Sequence, residues 1–324
     1  MLRTFPMELC LFTDSVPELT LEQTLDLAVE SHISSVELAT GGQSVAPHMD
    51  MAELLASGFA RARFARTLAS RGLRLAALNC SAWPMHPVHG QQDIAFIRDS
   101  IRLASALEID KLVTMSGCPG DSPQARAINW IWFPWPDEGL ELLERQWEEA
   151  IEVWADLTEM ARAHGVTRIA FELHPLHLVY NVPSLMRLRD AVGPEIGANL
   201  DPSHLFWQQM DPLRVIEVLG PALQHVHLKD TELFGDQVAL NGVLDPRSWE
   251  DTAQRSWVFR AVGEGNPESF WIAFLQALQD AGYDEELSIE NEDPFLPGAA
   301  GVTRAAEFTR PLLADLPRPA AEPT

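Results

Sequence analysis

The sequence predicts an α/β protein, a single-domain (β/α)8 barrel, and three observations support that prediction. Eight short runs rich in Leu, Val and Ile recur at about 40 residues per unit, the spacing of a strand plus a crossover helix. Helical segments separate the runs, as in sheets with parallel strands. No GxGxxG motif follows the first run, which argues against a dinucleotide-binding open sheet. We therefore expect a barrel over residues 1–313 and a Pro- and Ala-rich tail over residues 314–324, with no linker between domains.

The predicted strands are short, and each precedes a helical or loop segment. Their first residues, in chain order, are Glu8, Ser35, Leu73, Lys111, Thr167, Glu195, Leu223 and Glu286. Helical periodicity is clearest in the segments TLEQTLDLAVESH, LLERQWEEAIEVWADLTEMARAH and PESFWIAFLQALQDAG, which follow the first, fourth and seventh strands. The last two end at His-Gly or Gly, where a helix typically stops.

Two connections are too long to be simple loops between a strand and a helix. They span residues 117–139 after the fourth strand and residues 231–267 after the seventh. In a barrel both would lie at the carboxyl ends of the strands, the face on which active sites are built. The first insertion carries Trp130, Trp132 and Trp135, which would either stack against a sugar ring or form a lid or subunit contact.

Charge, hydropathy and the amino terminus limit the partners and the location that we expect for the protein, whose net charge is −24. Nucleic acid would be repelled by so acidic a surface, and no cluster of Lys and Arg offsets it. No apolar stretch approaches the roughly 20 residues of a membrane-spanning helix. The amino terminus MLRTFPMELCLFTDS lacks a secretory signal, so we expect a cytoplasmic protein with no membrane partner. The three cysteines are widely spaced, which indicates reduced thiols.

Four strands in the second half of the chain each deliver an ionisable residue as they end. The runs RIAFE, IGANLD, LQHVHLKD and ELSIENED contain, in that order, Glu172, Asp201, His227 and Glu290. Because the carboxyl ends of parallel strands meet on one rim of a barrel, these side chains should converge. Three carboxylates and one imidazole suit one divalent ion, Mn²⁺, Mg²⁺, Co²⁺ or Zn²⁺, with positions left open for substrate or water. The absence of cysteine from the set argues against a structural zinc site.

Other histidines and a lysine are expected near this rim. His225 precedes His227 by two residues and would also point inward, but it lies farther from the strand end and is the weaker candidate ligand. Lys229 follows His227 by two residues and would also point inward, where it would either neutralise an enolate or an anionic group or pair with Asp230 at the rim. His174 follows Glu172 by two residues and would share its strand face, although Pro175 suggests that the strand stops there.

The remaining candidates are less well defined by their spacing. The loop after the third strand places His86 and His89 on the same face, and His86 is expected to contact substrate. Glu37 is taken to end the second strand, where a hydrogen-bonding role in the core is favoured over a role as ligand. In the second insertion, Arg255, Arg260 and Glu264 would either reach the site or brace the loop.

The motifs ELHP, NLDPSHLFW, HVHLKD and LSIENED resemble those of the xylose isomerase-like barrel superfamily. That superfamily contains sugar isomerases and epimerases, inosose dehydratases and the endonuclease IV group. The similarity covers nearly the whole chain by strand order, and its specific motifs lie between Phe171 and Asp293. In the family, the fifth strand ends in a metal-binding Glu, the sixth carries D-x-x-H, the seventh carries H-x-K-D and the eighth ends in Glu. The matching residues here are Glu172, Asp201 with His204, His227 and Glu290.

What the resemblance implies is a metal-dependent change at a sugar carbon next to a carbonyl. A proton on such a carbon is removed at neutral pH only if the developing enediolate is stabilised, and a divalent ion supplies that charge. In the ketose epimerases of the superfamily, the first and last Glu ligands are acid and base on opposite faces, which carries over to Glu172 and Glu290. His204 would, by the same resemblance, contact substrate. The expected function is a divalent-metal-dependent isomerase or epimerase of a sugar or keto-sugar.

Three alternatives remain open at the level of sequence. A lyase or dehydratase of a keto-inositol or 3-keto glycoside would share the first step and the ligand set. An endonuclease IV-like nuclease is opposed by the charge of −24. A non-catalytic sugar- or metal-binding protein would have no need to keep all four ligands. Phosphorylated substrates are disfavoured because GEGNPES is too short a signal for a phosphate loop. Relatives often assemble as dimers or tetramers, so a homo-oligomer is a further expectation.

Overall fold

The computed structural model describes residues 7–317, and its central element is a closed barrel of parallel strands. The eight barrel strands are β1 Glu8–Phe12, β2 Ser35–Gly42, β3 Arg74–Ser81, β4 Lys111–Thr114, β5 Arg168–Glu172, β6 Ile196–Leu200, β7 Leu223–Leu228 and β10 Glu286–Ile289. Around the barrel they follow the order β1-β10-β7-β6-β5-β4-β3-β2. Each predicted first residue lies within one position of the observed one. The prediction of a (β/α)8 barrel is therefore confirmed.

Helices cover the outside of the barrel. Within the described residues they are α1 Leu21–Glu30, α2 Met51–Ala56, α3 Gly58–Ala69, α4 Gly90–Ala106, α5 Asp137–Ala163, α6 Val182–Val192, α7 Pro202–Phe206, α8 Pro212–Leu219, α9 Gly235–Asn241, α10 Glu268–Asp280 and α11 Ala299–Asp315. The start of α1 is fixed by a capping box, in which the Thr20 side chain accepts the Gln23 N–H and the Gln23 side chain accepts the Thr20 N–H. Residues 314 and 315 of the predicted tail thus belong to α11, and residues 318–324 lie outside the described part of the chain.

Apolar residues and polar residues occupy different parts of the barrel. The main hydrophobic core lies between the strands and the helices, whereas Ala77, Val113 and Ala170 form a small separate apolar cluster. Each of the three lies two residues from a buried polar side chain on the same strand, namely Asn79, Lys111 or Glu172. Residues two apart on a strand face the same side, so the three belong to the barrel interior. The interior is therefore largely polar above and below one apolar layer, and its upper polar layer reaches the face where the strands end.

The second long connection contains an antiparallel ribbon. Its strands are β8 Asp230–Leu233 and β9 Trp257–Arg260. At its base, the Asp230 carboxylate accepts the backbone N–H groups of Gly263, Gly265 and Asn266 at 3.0, 3.0 and 2.9 Å. The chain that returns from the ribbon is thereby tied to the residue that follows Lys229. Because Asp230 is engaged in this way, the ribbon is fixed directly beside the end of β7.

Arginines in this connection brace it. Arg255 is buried, its guanidinium lies 3.8 Å from the centroid of the Trp249 ring, and its Nε donates to the Trp257 carbonyl at 3.2 Å. Arg260 pairs with Asp293 at 3.0 Å and also with Glu232. Glu264 accepts from Arg304 at 2.6 Å. Of the two roles considered for Arg255, Arg260 and Glu264, these contacts favour bracing of the loop.

The first long connection carries the tryptophan cluster away from the barrel axis. Trp130 packs edge-on against Tyr180, with ring centroids 5.2 Å apart. Trp132 and Trp135 are 55% and 72% exposed, respectively. Within residues 7–317 no ring contact joins these tryptophans to the histidines at the carboxyl ends of the strands. Stacking on a sugar ring and a subunit contact both remain predictions.

Two further expectations can be compared with the described residues. Cys10, Cys80 and Cys118 are buried and form no disulfide. No helix between residues 7 and 317 combines the length and the apolar character that crossing a bilayer requires.

Candidate metal centre

The four side chains predicted as ligands converge at the carboxyl ends of their strands. Glu172 is the last residue of β5, and His227 is the last but one of β7. Asp201 and Glu290 directly follow the last residues of β6 and β10. His227 Nδ1 lies 3.0 Å from Glu290 Oε2 and 3.9 Å from Glu172 Oε2. One ligand atom from each of these three residues lies within 4.8 Å of the others.

Asp201 joins this cluster through His204. Asp201 Oδ2 lies 3.3 Å from His204 Nε2, which in turn lies 2.9 Å from Glu172 Oε1. Neither Asp201 Oδ2 nor His204 Nε2 has a hydrogen bond of acceptable geometry, although both residues are almost completely buried. The Asp201 Oδ1 atom, by contrast, accepts the Ser203 N–H at 2.8 Å. Asp201 Oδ2 also lies 3.0 Å from Lys229 Nζ, so a bound cation would share or replace that charge contact.

A divalent cation fits this donor set. Carboxylate oxygens and an imidazole nitrogen are the ligands that Mn²⁺, Mg²⁺, Co²⁺ and Zn²⁺ accept, and a cation beside Asp201 Oδ2 would satisfy that buried oxygen. The residues that would hold it are Glu172, Asp201, His227 and Glu290, as the sequence predicts. His204 would then lie next to the ion, with its Nε2 atom directed into the same space.

Lys229 reaches into the cluster from the end of β7. Its Nζ atom lies 3.0 Å from Asp201 Oδ2 and 2.9 Å from both Glu290 Oε2 and Glu292 Oε2. The predicted pairing of Lys229 with Asp230 is wrong, because the Asp230 carboxylate is occupied by the amides at the base of the ribbon. Burial would lower the pKa of Lys229, but the carboxylates of Asp201, Glu290 and Glu292 outweigh it and raise that pKa well above its usual range.

Glu172 and Glu290 differ strongly in proton affinity. Burial, together with the nearby charge of Glu290, raises the pKa of Glu172 to about 7. Burial would also raise the pKa of Glu290, but Lys229 and His227 outweigh it and hold that pKa well below its usual range. Two carboxylates in one site with different pKa values are typical of an acid and base pair, and a bound cation would lower both values.

Two imidazoles beside the cluster have lowered pKa values. The rings of His174 and His204 lie edge to face with centroids 4.2 Å apart, and burial lowers the pKa of each to about 4. The strand does end at Glu172, as Pro175 suggests. The His174 N–H nevertheless bonds back to the Glu172 carbonyl at 2.8 Å, which keeps His174 beside the cluster. Its Nδ1 donates to the Pro175 carbonyl at 2.6 Å, so Nε2 retains its lone pair.

His86 lies apart from these residues. Its ring stacks on His89 with centroids 3.7 Å apart, and its Nδ1 accepts the Val88 N–H at 3.1 Å. His89 is held in turn by Asp93 at 2.8 Å. Between residues 7 and 317, no hydrogen bond, ion pair or ring contact joins His86 to the carboxylates of the cluster. The expected contact of His86 with substrate stays a prediction.

Glu37 differs from its predicted position. It does not end the second strand, because β2 continues to Gly42, and it lies inside the barrel. Its carboxylate contacts the Nε2 atoms of both His225 and His227. The weaker candidate ligand His225 is therefore engaged by Glu37, below the rim. Burial would raise the pKa of Glu37, but His227 and His225 outweigh it and hold that pKa well below its usual range.

Comparison with known proteins relates the chain to sequences and to solved structures. The family model described as xylose isomerase-like TIM barrel matches residues 25–312. Uncharacterized protein YfiH of Bacillus subtilis strain 168 is 39% identical over 305 residues, which are 93% of this chain and 97% of that protein.

Three solved structures share the fold over nearly their whole length. The probable 3-DHS dehydratase AsbF of Bacillus anthracis superposes with a TM-score of 0.67 at 18% identity, covering 94% of this chain and 99% of that one. The IOLI protein with a bound zinc atom gives 0.65 at 19% identity, covering 95% and 98%. A D-tagatose 3-epimerase-like protein gives 0.63 at 18% identity, covering 95% and 97%. At these identities the likeness concerns the fold alone.

Proposed function

The chain belongs to the xylose isomerase-like TIM barrel family, and from this premise we propose that it is a divalent-metal-dependent isomerase or epimerase of a sugar or keto-sugar. The observation that carries the proposal is the convergence of Glu172, Asp201, His227 and Glu290 at the carboxyl ends of their strands. Three carboxylates and one imidazole that face one another there form a donor set that suits a divalent cation. The solved neighbours include a D-tagatose 3-epimerase-like protein and a zinc-bound protein, which is consistent with this chemistry.

Several residues of the site would take part in proton transfer, each in a different role. A bound divalent ion would stabilise the negative charge that develops when a proton leaves the carbon next to a carbonyl. Glu172 and Glu290 place carboxylate oxygens 3.9 and 3.0 Å from His227 Nδ1, and we propose that one removes the proton and the other returns it to the opposite face of the substrate. The Lys229 ammonium adds positive charge beside Glu290. The neutral imidazole of His174 can accept a hydrogen bond from a substrate hydroxyl group through Nε2, and that of His204 can donate to or accept from one.

The loop that follows the ribbon supports a substrate without a phosphate. In phosphate-binding barrels, free backbone amides near the last two strands bind the anion. Here the amides of Gly263, Gly265 and Asn266 in that region donate to the Asp230 carboxylate. An internal carboxylate thus occupies the donors that a phosphate would need, and we propose a free or oxidised sugar as substrate.

The proposal predicts metal-dependent exchange of a carbon-bound proton. Protein loaded with Mn²⁺, incubated with keto-sugars in D₂O, should incorporate deuterium next to the carbonyl, and chelator-treated protein should not. The readout is NMR or mass spectrometry of the recovered sugar. Appearance of an unsaturated or dehydrated product in place of deuterated sugar would rule out simple isomerisation and favour a lyase.

The same proposal predicts that Asp201 is required for metal binding. Asp201→Asn removes a charged ligand and should raise the dissociation constant for Mn²⁺ or Zn²⁺ by at least about 100-fold, since even partners of ligands cost about 10- to 100-fold. Chelator competition measures this constant. Asp236→Asn, an exposed position with the same change in charge, serves as the control and should bind as the unmodified protein does. Equal affinity in both variants would count against the metal site.

A lyase of a keto-inositol or 3-keto glycoside is the second candidate, favoured by Lys229. Its buried ammonium lies 2.9 Å from Glu290 Oε2, where its positive charge would stabilise the negative charge of a leaving group after the carbon-bound proton is removed. One structural neighbour, AsbF, is described as a probable dehydratase. The exchange experiment in D₂O separates the two candidates by product. A nuclease is not proposed, because the charge of −24 opposes DNA binding.

A further inference from the structure

A layer of buried polar side chains lies directly beneath the candidate metal centre. Glu37 lies at its centre and contacts Asn79, His225 and Ser288. Glu37 is completely buried. Its Oε1 accepts from Asn79 Nδ2 at 2.6 Å, and its Oε2 accepts from Ser288 Oγ at 2.6 Å. A carboxylate in a closed interior needs such donors, because an unpaired buried charge is strongly destabilising. Glu37 is therefore ionised and can act only as an acceptor.

Two imidazoles complete the surroundings of Glu37. His225 Nε2 lies 2.8 Å from Glu37 Oε2, and His227 Nε2 lies 3.2 Å from both carboxylate oxygens. Since the carboxylate only accepts, each of these nitrogen atoms carries a hydrogen and donates it. Without a metal ion Nδ1 also donates, to Glu290 Oε2 at 3.0 Å. When Nδ1 gives up that hydrogen to make room for a metal ion, Nε2 keeps its own on Glu37, so the lone pair then lies on Nδ1. That atom faces Glu290 Oε2 and Glu172 Oε2, the two carboxylates at the rim.

From this arrangement we infer that Glu37 is a positioning residue, which fixes the tautomer and the ring orientation of His227 so that Nδ1 is presented to a metal ion. The inference rests on the proposed metal-dependent function. Metal-binding histidines commonly donate their other N–H to a carboxylate, which also raises the basicity of the ligand atom. The role is distinct from a second metal site, because Asn79 and Ser288 already occupy lone pairs of the Glu37 carboxylate.

The test is Glu37→Gln, with the metal affinity and the tautomer of His227 as readouts. The amide keeps one acceptor oxygen but introduces two N–H donors against Asn79, Ser288 and the imidazoles, so His227 Nε2 would lose its acceptor. We expect the dissociation constant for Zn²⁺ to rise about 10- to 100-fold. In Zn²⁺-loaded protein labelled with ¹⁵N-histidine, NMR should show His227 with a hydrogen on Nε2 and none on Nδ1 before the substitution, and a smaller fraction of that tautomer after it.

Ser288→Ala is the matched control, because it removes a hydrogen bond to the same buried carboxylate and leaves the contact with His227 in place. Its Zn²⁺ affinity should change by less than about 10-fold, the lower bound expected for loss of a partner of a ligand. An equal loss of affinity in Ser288→Ala and Glu37→Gln would overturn the inference, because general loosening of the layer would then explain both.

The outcomes separate this inference from the proposed function. If Asp201→Asn does not weaken Zn²⁺ binding, the metal site itself fails. If Asp201→Asn weakens binding but Glu37→Gln binds normally and keeps the His227 tautomer, only the role of Glu37 fails. Should Glu37→Gln not fold, as judged by circular dichroism, Glu37→Asp withdraws the carboxylate by one methylene. Its affinity should fall in the same direction, and unchanged affinity in folded Glu37→Asp would overturn the inference.

Discussion

Substitution of Glu172 by Gln is expected to slow deuterium exchange into the sugar substrate by about 10²- to 10⁴-fold, the usual contribution of a general acid or base. The amide can neither accept the proton nor supply the charge of a metal ligand. Glu172 is the more buried carboxylate of the pair, and in the absence of metal burial together with Glu290 raises its pKa to about 7. Exchange rates measured in D₂O at saturating metal give the effect.

Glu292→Gln is the matched control for that experiment. Glu292 is also a carboxylate of the same rim and lies 2.9 Å from Lys229 Nζ, but its side chain is 52% exposed and it is absent from the ligand set. We expect less than about 10-fold change in the exchange rate, well short of the loss of a general base. If Glu172→Gln retains a tenth or more of the activity while Glu292→Gln loses it, the proton-transfer roles are assigned wrongly.

Substitution of Lys111 by Met is expected to destabilise the fold by about 3 kcal/mol, at the lower end of the range for breaking a buried ion pair. Lys111 begins β4, and its fully buried Nζ reaches Glu285 at 2.7 Å and Glu286 at 3.3 Å. These two glutamates lie at the start of β10, on the opposite side of the barrel. Each keeps an arginine partner, Arg168 or Arg74, so the loss should not be larger. Urea denaturation followed by circular dichroism measures it.

Arg63→Met provides the comparison for Lys111, because Arg63 pairs with Glu53 on the exposed surface. Such a pair contributes about 0–1 kcal/mol, so the urea midpoint should hardly move. Equal shifts in the two variants would contradict the role of Lys111 as a bridge across the barrel.

The stability of the fold in acid should also depend on the ion pair between Lys111 and Glu286. Burial would raise the pKa of Glu286, but Lys111 and Arg74 outweigh it and lower it to about 2, against an ordinary value of 4.5. A carboxylate with a lowered pKa stabilises the fold at pH values above its ordinary pKa, and this contribution is lost as the pH falls through the range between the two values. Without Lys111 the pKa of Glu286 should rise towards its ordinary value, so the acid-sensitive part of the stability should be smaller and its loss should be complete at higher pH, as measured by urea denaturation at a series of pH values.

The strands and the ligand set could be predicted because both follow from local patterns. Each barrel strand is a short apolar run, and each run ends at the same rim in a closed parallel sheet, so residues far apart in sequence, such as Glu172 and Glu290, must meet. His227 could be preferred to His225 because only the position nearer the strand end reaches the rim. The pairing of Lys229 could not be predicted, because three carboxylates were within reach of its long side chain and the ribbon had already engaged Asp230.

The ribbon and the position of Glu37 escaped prediction for different physical reasons. β8 and β9 have four residues each and are separated by a long segment without a tight-turn signal, so their pairing is decided by tertiary contacts. The core hydrogen-bonding role favoured for Glu37 is observed, and only its position at the strand end was predicted wrongly. Its burial depends on donors from β3, β7 and β10, including Asn79 and Ser288, which no local pattern of β2 could show.

The Asp230 anchor makes the ribbon a candidate module for engineering. Asp230 directly follows Lys229, and its carboxylate accepts the backbone N–H groups of Gly263, Gly265 and Asn266. These hydrogen bonds fix the base of the ribbon next to β7. Residues 235–242, which include none of the bracing arginines, should therefore tolerate a change of length or sequence while His227 and Lys229 keep their places. Insertions and deletions in this segment would change the ribbon without moving the residues that are proposed to hold the metal ion.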